Sequence, residues 1–402
     1  MPSPSAESPD RVPTDVCGQC AATVPSGHFC GECGAELGQP AGRRLSALRL
    51  RVFAVAPKER VLVPMVSSTL FPHLPEAYRN PLRAGMVVLL AGVLGCSVLR
   101  LLAPWVTLVA LGVPLLFVLY LWQSNLLRDL PNHALIIASV FGVVLGVGWV
   151  LGTGGLVARS YGISVAAGFV LQNVISLGLF ISVGGAVVMM LPAVAVRLLG
   201  PPRESLDGFV IGALGALCFT GAATTTRLAP QFVSGLIDDV RSDRLLLEAV
   251  LYGVTVPLTA AAVGGLIGIL LWFRPGARAG EHPGRVRIVL ALFTVLALLI
   301  YTLVWVTDAS RLPKWPQVLL HVLMAVIALL TARACVQLAL LFEQPDPATG
   351  GPVLCPRCER VVPDMPFCPA CGTATRASSR SSRRRRRASP PVRYGAVNGP
   401  DV

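Results

Sequence analysis

Charge is scarce in this chain. Only 14% of its 402 residues are Asp, Glu, Lys or Arg, against 54% hydrophobic, and the mean hydropathy is +0.68. A soluble domain carries about 25% charged residues to wet its surface, so an ordinary soluble fold is excluded and a membrane protein is implied. Lysine is almost missing: Lys58 and Lys314 are the two among 34 basic residues. Together with abundant Ala, Val, Leu and Gly, this points to a high-GC bacterial genome and hence to a plasma membrane. No secretory signal is expected either, because the first eighty residues open on a Pro/Ser-rich tract without a clean apolar core.

The charge that is present lies at the chain ends and in short interruptions. Between them run eight apolar stretches, 84–102, 104–122, 134–157, 174–198, 209–226, 246–273, 287–306 and 317–342, each near the ~20 residues that cross a hydrocarbon core. The first two are separated only by Arg100 to Pro104 and read as a tight hairpin. The fifth, FVIGALGALCFTGAATTT, is rich in small residues and is expected to be an interior helix or a partial span. Segment 158–173 is open to a re-entrant or interfacial reading, so the count is eight, plus or minus one. With the N-terminus in the cytoplasm, 27 of the 34 Lys and Arg residues fall on the inner side. Seven fall outside: Arg100, Arg159, Arg227, Arg241, Arg244, Arg311 and Lys314. The positive-inside rule then places both termini in the cytoplasm.

Eleven cysteines are present, and eight of them form two copies of one motif. Val16 to Gly34 reads VCGQCAATVPSGHFCGECG, and Leu354 to Gly372 reads LCPRCERVVPDMPFCPACG. Cys17, Cys20, Cys30 and Cys33 align with Cys355, Cys358, Cys368 and Cys371 at a constant offset of 338 residues. Val24-Pro25 matches Val362-Pro363, Phe29 matches Phe367, and Gly34 matches Gly372. Paired C-x2-C turns supply the four thiolates of a tetrahedral Zn2+ site, with iron in a rubredoxin-like site as the chemical competitor. Four thiolates leave no open position for water, so each metal is expected to be structural. A unit this small cannot bury a core, and the metal must supply most of its folding free energy. His28, beside Cys30, is matched by Pro366 in the second copy and reads as a loop residue. The two units resemble the short zinc ribbons of the double-zinc-ribbon class, over about twenty residues each. That resemblance implies an adaptor that docks a cytoplasmic protein. Reduced thiols also call for the cytoplasm.

The fold class expected is an all-α polytopic membrane domain of about eight transmembrane helices flanked by two four-cysteine zinc ribbons. The boundaries are a disordered N-terminus over 1–15, a first ribbon over 16–36, a juxtamembrane linker over 37–83 and a transmembrane domain over 84–342. A linker over 343–353, a second ribbon over 354–374 and a disordered Arg/Ser-rich tail over 375–402 follow. Leu45 to Phe71, apolar in patches, reads as a stretch at the membrane interface or as a plain linker. In the tail, Arg383 to Arg387 suit an anionic lipid surface. No aromatics are interleaved with them to stack on bases, so nucleic acid is not an expected partner.

Ionisable residues inside spans are functional suspects, because an unpaired charge in lipid is costly. Here they are Glu248, His321, Arg333 and Arg197. Cys96, Cys218 and Cys335 lie in apolar spans and read as packing residues. The glycine pairs Gly184-Gly185 and Gly264-Gly265 read as close helix contacts.

Met189 to Phe219, MMLPAVAVRLLGPPRESLDGFVIGALGALCF, resembles the PrsW family of intramembrane proteases. In that family a Pro-containing helix with a Glu-Glu pair leads into an Asp-Gly that opens a Gly/Ala-rich helix. Pro192 and Asp207-Gly208 stand at the matching places. Val194, Ala195 and Val196 occupy the positions of the glutamate pair, Arg197 follows them, and Ala223 stands where Phe219 would be followed by a glutamate. The resemblance therefore implies a protease-like scaffold without the groups that activate water. Glu248 and His321 are the weak catalytic candidates for a different constellation. The leading expectation is a non-enzymatic membrane protein with ribbons as docking or regulatory modules. A PrsW-like protease is the first alternative. A small-solute or lipid transporter using Gln172, Asn173 and Thr224 to Thr226 is the second.

Overall fold

A computed structural model describes residues 13–38, 52–73, 79–161, 171–200, 204–229, 242–276, 283–309, 312–344, 346–347 and 349–389, for the backbone alone at 79, 155–161, 171–178, 283 and 309. Residues 1–12 of the expected disordered start, segment 162–170, and the side chains of Gln172 and Asn173 lie outside the described residues, while Thr14 and Asp15 of that start belong to a short strand. The chain divides into two compact units, one of residues 1–60 and 345–402 and one of residues 61–344.

The larger unit is helical. After the short α1 (Val66–Leu70) come α2 (Arg79–Val98), α3 (Leu102–Gln123), the single-turn α4 (Leu126–Asp129), α5 (Asn132–Tyr161), α6 (Leu171–Leu199) and α7 (Ser205–Leu228). Next α8 (Ser242–Glu248) passes through a π-helical Ala249–Thr255 into α9 (Val256–Trp272), and α10 (Pro283–Ala309) and α11 (Lys314–Phe342) complete the unit. Among the described residues, eight helical segments are long and apolar enough to cross a bilayer, and each overlaps one of the eight stretches read from the sequence. The protein is therefore a multi-pass membrane protein. Between α2 and α3 the chain reverses at Arg100, whose φ of 55° makes the expected tight hairpin.

Residues 205–228 form the interior helix anticipated from their small side chains, almost wholly buried and long enough for a full crossing. Glycine explains how α7 fits among its neighbours. Gly208 and Gly212 meet Gly268 and Gly264 of α9 so closely that a Cβ at any of the four would strike the opposite carbonyl oxygen. On another side, Gly142 and Gly146 of α5 lie against the carbonyls of Gly215 and Phe219. Three G-x3-G pairs, Gly142/Gly146, Gly208/Gly212 and Gly264/Gly268, thus let backbones touch, the arrangement by which membrane helices associate when lipid offers no hydrophobic contrast. The pairs singled out earlier work in the same way: Gly184 and Gly185 admit the Trp149 indole, and Gly265 admits the Phe209 ring.

Polar groups inside this unit are mostly satisfied locally. Arg333 is fully buried and donates to the hydroxyls of Ser68 (2.5 Å) and Thr69 (3.2 Å) in α1. Residues 66–71, expected at the membrane interface or in a linker, are thus part of the helical unit and supply partners for its buried arginine. Glu343, at the end of α11, caps the start of α7: its carboxylate accepts from the Ser205 N–H (2.9 Å) and hydroxyl (2.6 Å). Negative charge at a helix N-terminus is favoured by the helix dipole. Arg197 donates to the Leu271 carbonyl (3.1 Å) and lies over the Trp272 ring.

The smaller unit contains three two-stranded antiparallel sheets, β1 (Thr14–Val16) with β2 (Thr23–Pro25), β3 (Val52–Phe53) with β4 (Ala56–Arg60), and β5 (Pro352–Leu354) with β6 (Val361–Pro363), followed by α12 (Arg380–Ala388). Two readings change here. Residues 52–60, placed in the linker, form a hairpin whose turn residues Ala54 and Val55 are buried. Residues 375–388, placed in the disordered tail, form a 3-10 turn and then α12. The arginine run looked solvated because its carboxylate partners, Asp346 and Asp364, lie in the preceding linker and inside the ribbon.

Candidate metal centres

Each ribbon builds its cysteine cluster from two tight turns. In the first turn of ribbon 1 the Cys17 N–H donates to the Ala22 carbonyl (3.0 Å) and the Cys17 carbonyl accepts from the Ala21 N–H (2.9 Å). In the second, Cys30 makes the same pair of bonds with Ala35 (2.7 Å) and Gly34 (2.7 Å). The turns of ribbon 2 repeat them with Arg360 and Glu359 about Cys355, and with Thr373 and Gly372 about Cys368. Every turn ends in a left-handed residue: Ala21 (φ 55°), Gly34 (φ 70°), Glu359 (φ 56°) and Gly372 (φ 73°). Each β-hairpin joins the two cysteines of the first turn to the second turn, so a register set by β1–β2 or β5–β6 brings the thiols together.

The thiols are placed for one tetrahedral ion per ribbon. In ribbon 1, Cys17 and Cys33 Sγ are 3.6 Å apart and Cys20 and Cys30 Sγ 3.7 Å. In ribbon 2, Cys355 and Cys371 Sγ are 3.7 Å apart and Cys358 and Cys368 Sγ 3.9 Å. All four sulfurs of each group lie within 4.8 Å of one another. A metal–sulfur bond of about 2.3 Å implies tetrahedral edges of about 3.8 Å, which these pairs match, whereas a disulfide would need about 2.05 Å. His28 is exposed and belongs to neither group, as the sequence comparison anticipated.

Electrostatics favour a cation in each cluster. Hydrogen bonding to Cys33, with burial, pushes the Cys30 thiol well above the usual range, and its neighbours Cys355, Cys358 and Cys371 do the same to Cys368. Cys358 is held at about 7, chiefly by its bond with Cys355. A metal-free cluster would therefore retain protons that a bound ion must displace. Near ribbon 2, burial pulls the Arg386 guanidinium down and the Cys355 sulfur opposes that pull.

The two ribbons pack against each other, which the sequence had left open. The Phe29 N–H donates to the Pro369 carbonyl and the Phe367 N–H to the Gly31 carbonyl, both at 2.9 Å. The offset of 338 residues that relates Phe29 to Phe367 also relates Gly31 to Pro369, so the two bonds exchange under a local two-fold axis. The apolar contacts obey the same exchange: the Phe367 ring lies where a Gly34 Cβ would be, and the Phe29 ring where a Gly372 Cβ would be. This is the isologous arrangement of a symmetric dimer, made within one chain. It explains why the second turn of each ribbon ends in glycine while the first accepts Ala21 or Glu359. Both glycines have positive φ, and both also face an aromatic ring.

Ribbon 2 carries the additional structure. The Ala54 carbonyl of the β3–β4 turn accepts from the Ala374 N–H (2.9 Å), and the Val55 carbonyl accepts from Arg357 Nη1 (2.8 Å). Along α12, Arg387 pairs with Asp364 (2.8 Å), Arg383 pairs with Asp346 (3.2 Å), and Arg386 donates to the Ser378 hydroxyl (2.6 Å). Of the five arginines assigned to lipid, Arg383, Arg386 and Arg387 are thus engaged inside the unit, while Arg384 and Arg385 are exposed.

The membrane candidates sit elsewhere. Glu248 pairs with Arg244 (3.2 Å) and approaches Lys314 (3.9 Å). His321 Nε2 lies 3.3 Å from Asp308 and 2.8 Å from the Thr307 hydroxyl. Sequence reasoning missed Asp308, which lies just beyond the apolar stretch 287–306. Among the described residues the Thr307 hydroxyl is the one hydroxyl or thiol joined to either candidate, and it is also hydrogen-bonded to the Val304 carbonyl (2.7 Å). Cys335 is buried among apolar side chains, as expected of a packing residue.

These features define a class: a multi-pass membrane protein in which two four-cysteine groups, each able to hold a metal ion, are paired in one unit. No protein-family model matches the chain, and no curated protein or solved structure matches it either. The PrsW resemblance accordingly rests on the residues quoted above and on no family match.

Proposed function

We propose that this is a non-enzymatic plasma-membrane protein that holds zinc in both ribbons and uses the paired ribbons, in the cytoplasm, as a docking module for a soluble protein. The observation that carries this reading is the isologous pairing of two closed four-thiolate sites, which leaves no catalytic position at either metal and creates one composite surface. Pairing requires both chain ends on one side of the bilayer, hence an even number of crossings. Reduced thiolates and the positive-inside bias favour the cytoplasm. The offset-related Val16 and Leu354, each just before a first cysteine, are exposed on that unit. The exposed Arg384 and Arg385 suit anionic lipid headgroups, so a soluble partner would be held close to the inner leaflet. Zinc is favoured over iron because the sites need a structural, redox-inert ion.

Full-length protein and a Gly34→Val variant, compared by in-cell cross-linking and purification, test the reading. Bound zinc and membrane insertion are measured alongside. The expected result is two zinc ions per chain in the native protein and a set of cross-linked cytoplasmic proteins lost in the variant. Identical cross-linked sets from two correctly inserted proteins would sink it.

The alternatives draw less support. A PrsW-like protease lacks acids at 194–196 and 223. A transporter would need free polar groups facing a path, yet Thr225 and Thr226 donate to carbonyls of their own helix, Gly221 and Ala222 (both 2.8 Å).

A further inference from the structure

The two four-cysteine groups differ in what surrounds their sulfurs. Four thiolates around a divalent ion carry more negative charge than the ion cancels, and neighbouring donors must absorb the excess. Ribbon 2 has such donors. The Thr373 hydroxyl lies 3.3 Å from Cys371 Sγ and donates to it once that sulfur is a thiolate. Cys355, Cys368 and Thr373 share the walls of one cleft with Arg383, Arg386 and Arg387 of α12. Arg386 reaches the first cysteine turn: its Nη1 lies 3.5 Å from the Leu354 carbonyl, and Cys355 is within its electrostatic range.

Ribbon 1 supplies neither kind of donor from its own sequence. The offset of 338 puts Ala35 where ribbon 2 has Thr373, and residues 13–38 contain no lysine or arginine. Glu32 precedes Cys33 and Glu36 follows it, so the formal charge carried by this turn has the sign of the thiolates. The side chain that ribbon 2 packs on this cluster is Met365, whose thioether is uncharged. Cys20 is also the one exposed cysteine of the eight, whereas its counterpart Cys358 is half-buried.

These differences bear on reactivity. Beside a free cysteine a cation creates the nucleophile by favouring the thiolate. In a metal site every ligand sulfur is a thiolate already, so a guanidinium or hydroxyl beside it draws charge from the sulfur and blunts its attack. Oxidation follows thiolate character and exposure, and both are greater in ribbon 1.

We propose that ribbon 1 is a peroxide-sensitive modification site entered through Cys20, and that Thr373 and Arg386 protect ribbon 2 from the same reaction. The Cys20 thiolate attacks one oxygen of hydrogen peroxide, the O–O bond breaks, a sulfenic acid forms and hydroxide leaves. The Cys30 thiolate, with its Sγ 3.7 Å from that of Cys20, attacks the sulfenic sulfur, an S–S bond forms and a second hydroxide leaves. Two thiolates thus lose two electrons in all, and one peroxide is reduced to two hydroxides, which take protons from the buffer. Cys17 and Cys33 remain, two ligands of four and too few to hold the ion. The proposal rests on both ribbons holding zinc and is independent of what they dock.

The test exposes purified full-length protein, its zinc counted beforehand, to hydrogen peroxide. Zinc release is followed with a colorimetric indicator, and quenched samples are alkylated and mapped by mass spectrometry. The native protein is expected to release one zinc per chain about tenfold faster than the second, the scale on which outer hydrogen-bond partners act at metal sites. A Cys20–Cys30 disulfide should form while the cysteines of ribbon 2 still accept the alkylating reagent. Thr373→Val, which keeps the volume, and Arg386→Gln should each speed the second release several-fold, and Arg386→Lys should restore the native rate by restoring the charge. If the Arg386 variants do not fold, the native mapping and Thr373→Val decide. Chains that hold fewer than two zinc ions before treatment would overturn this proposal together with the zinc assignment. Chains that hold two would overturn this proposal alone if both ions left at equal rates, if ribbon 2 were oxidised first, if Thr373→Val changed nothing, or if Arg386→Lys behaved as Arg386→Gln does.

Discussion

The two ribbons share a backbone and differ in charge and support. Over residues 13–38 ribbon 1 has Asp15, Glu32 and Glu36 and no arginine or lysine, whereas ribbon 2 and α12 carry Arg357, Arg360, Arg376, Arg380 and Arg383–Arg387. The turn of a β-hairpin packs on ribbon 2, and α12 covers it with ion pairs. The thiolates, the left-handed turn residues and the Phe–Gly contacts are held in common, so they are what the metal and the two-fold interface require. The arginines and the hairpin are what the halves do separately: ribbon 2 has the added support of a platform, and ribbon 1 is left with the interface and whatever ion its thiols hold.

Removing a ligand should break the comparison most strongly. Binding of a structural zinc supplies about 10–16 kcal/mol to a zinc-finger-sized unit, so losing one thiolate unfolds the ribbon concerned. Cys30→Ser is expected to leave about one metal ion per chain, because ribbon 2 keeps its hairpin and helix. Cys368→Ser is expected to retain less than one, because ribbon 1 then loses the surface it packs on. Metal content of the purified full-length proteins checks this, and equal losses would remove the asymmetry. Acidification should empty both sites, since protons compete for thiolates that the metal needs deprotonated.

Next come the interface aromatics. Phe367 is almost fully buried and Phe29 only partly. Truncating a buried phenylalanine costs about 3–5 kcal/mol, so Phe367→Ala should accelerate zinc loss to a chelator more than Phe29→Ala does. A symmetric effect would mean that the interface alone, without the support around ribbon 2, sets metal retention. At the paired glycines the expectation is the reverse. Gly34→Ala and Gly372→Ala each place a Cβ at positive φ, a cost of about 1–2 kcal/mol, and each pushes it into the opposite phenylalanine. They should slow ribbon pairing equally, as read by a cross-link between the ribbons.

Much of this was legible in the sequence, and the gaps have physical causes. The metal clusters and the eight spans follow from thiol spacing and from runs of apolar residues, two signals that tertiary context rarely overturns. The interface was written into the repeat as well: Phe29, Phe367, Gly34 and Gly372 agree between copies, although a thiolate site does not itself need a phenylalanine there. The β3–β4 hairpin escaped because its strands are short and its partner is the distant Ala374. Helix α12 escaped because an isolated Arg-rich segment repels itself, and its stability comes from Asp346 and Asp364. His321 was singled out and Asp308 was not: the two belong to different helices, and only packing brings them to 3.3 Å.

The smallest effects lie along α12 and sharpen the platform idea by separating structural from surface arginines. Arg383 is buried and also donates to the Ser378 carbonyl (2.8 Å). Its replacement by Ala should therefore cost more than the ~1 kcal/mol typical of an exposed pair. Arg387→Ala breaks a contact in which Asp364 is buried but the arginine is partly exposed, and should cost about that much. Arg384→Ala should leave thermal unfolding of the metal-loaded protein unchanged, since that side chain is exposed, while weakening binding of the purified protein to added anionic vesicles relative to neutral ones. Electrostatics predict that this loss shrinks as salt rises. A shift in unfolding temperature for Arg384→Ala as large as that for Arg383→Ala would show that the exposed face of α12 is also structural, and would take the lipid-facing role away from it.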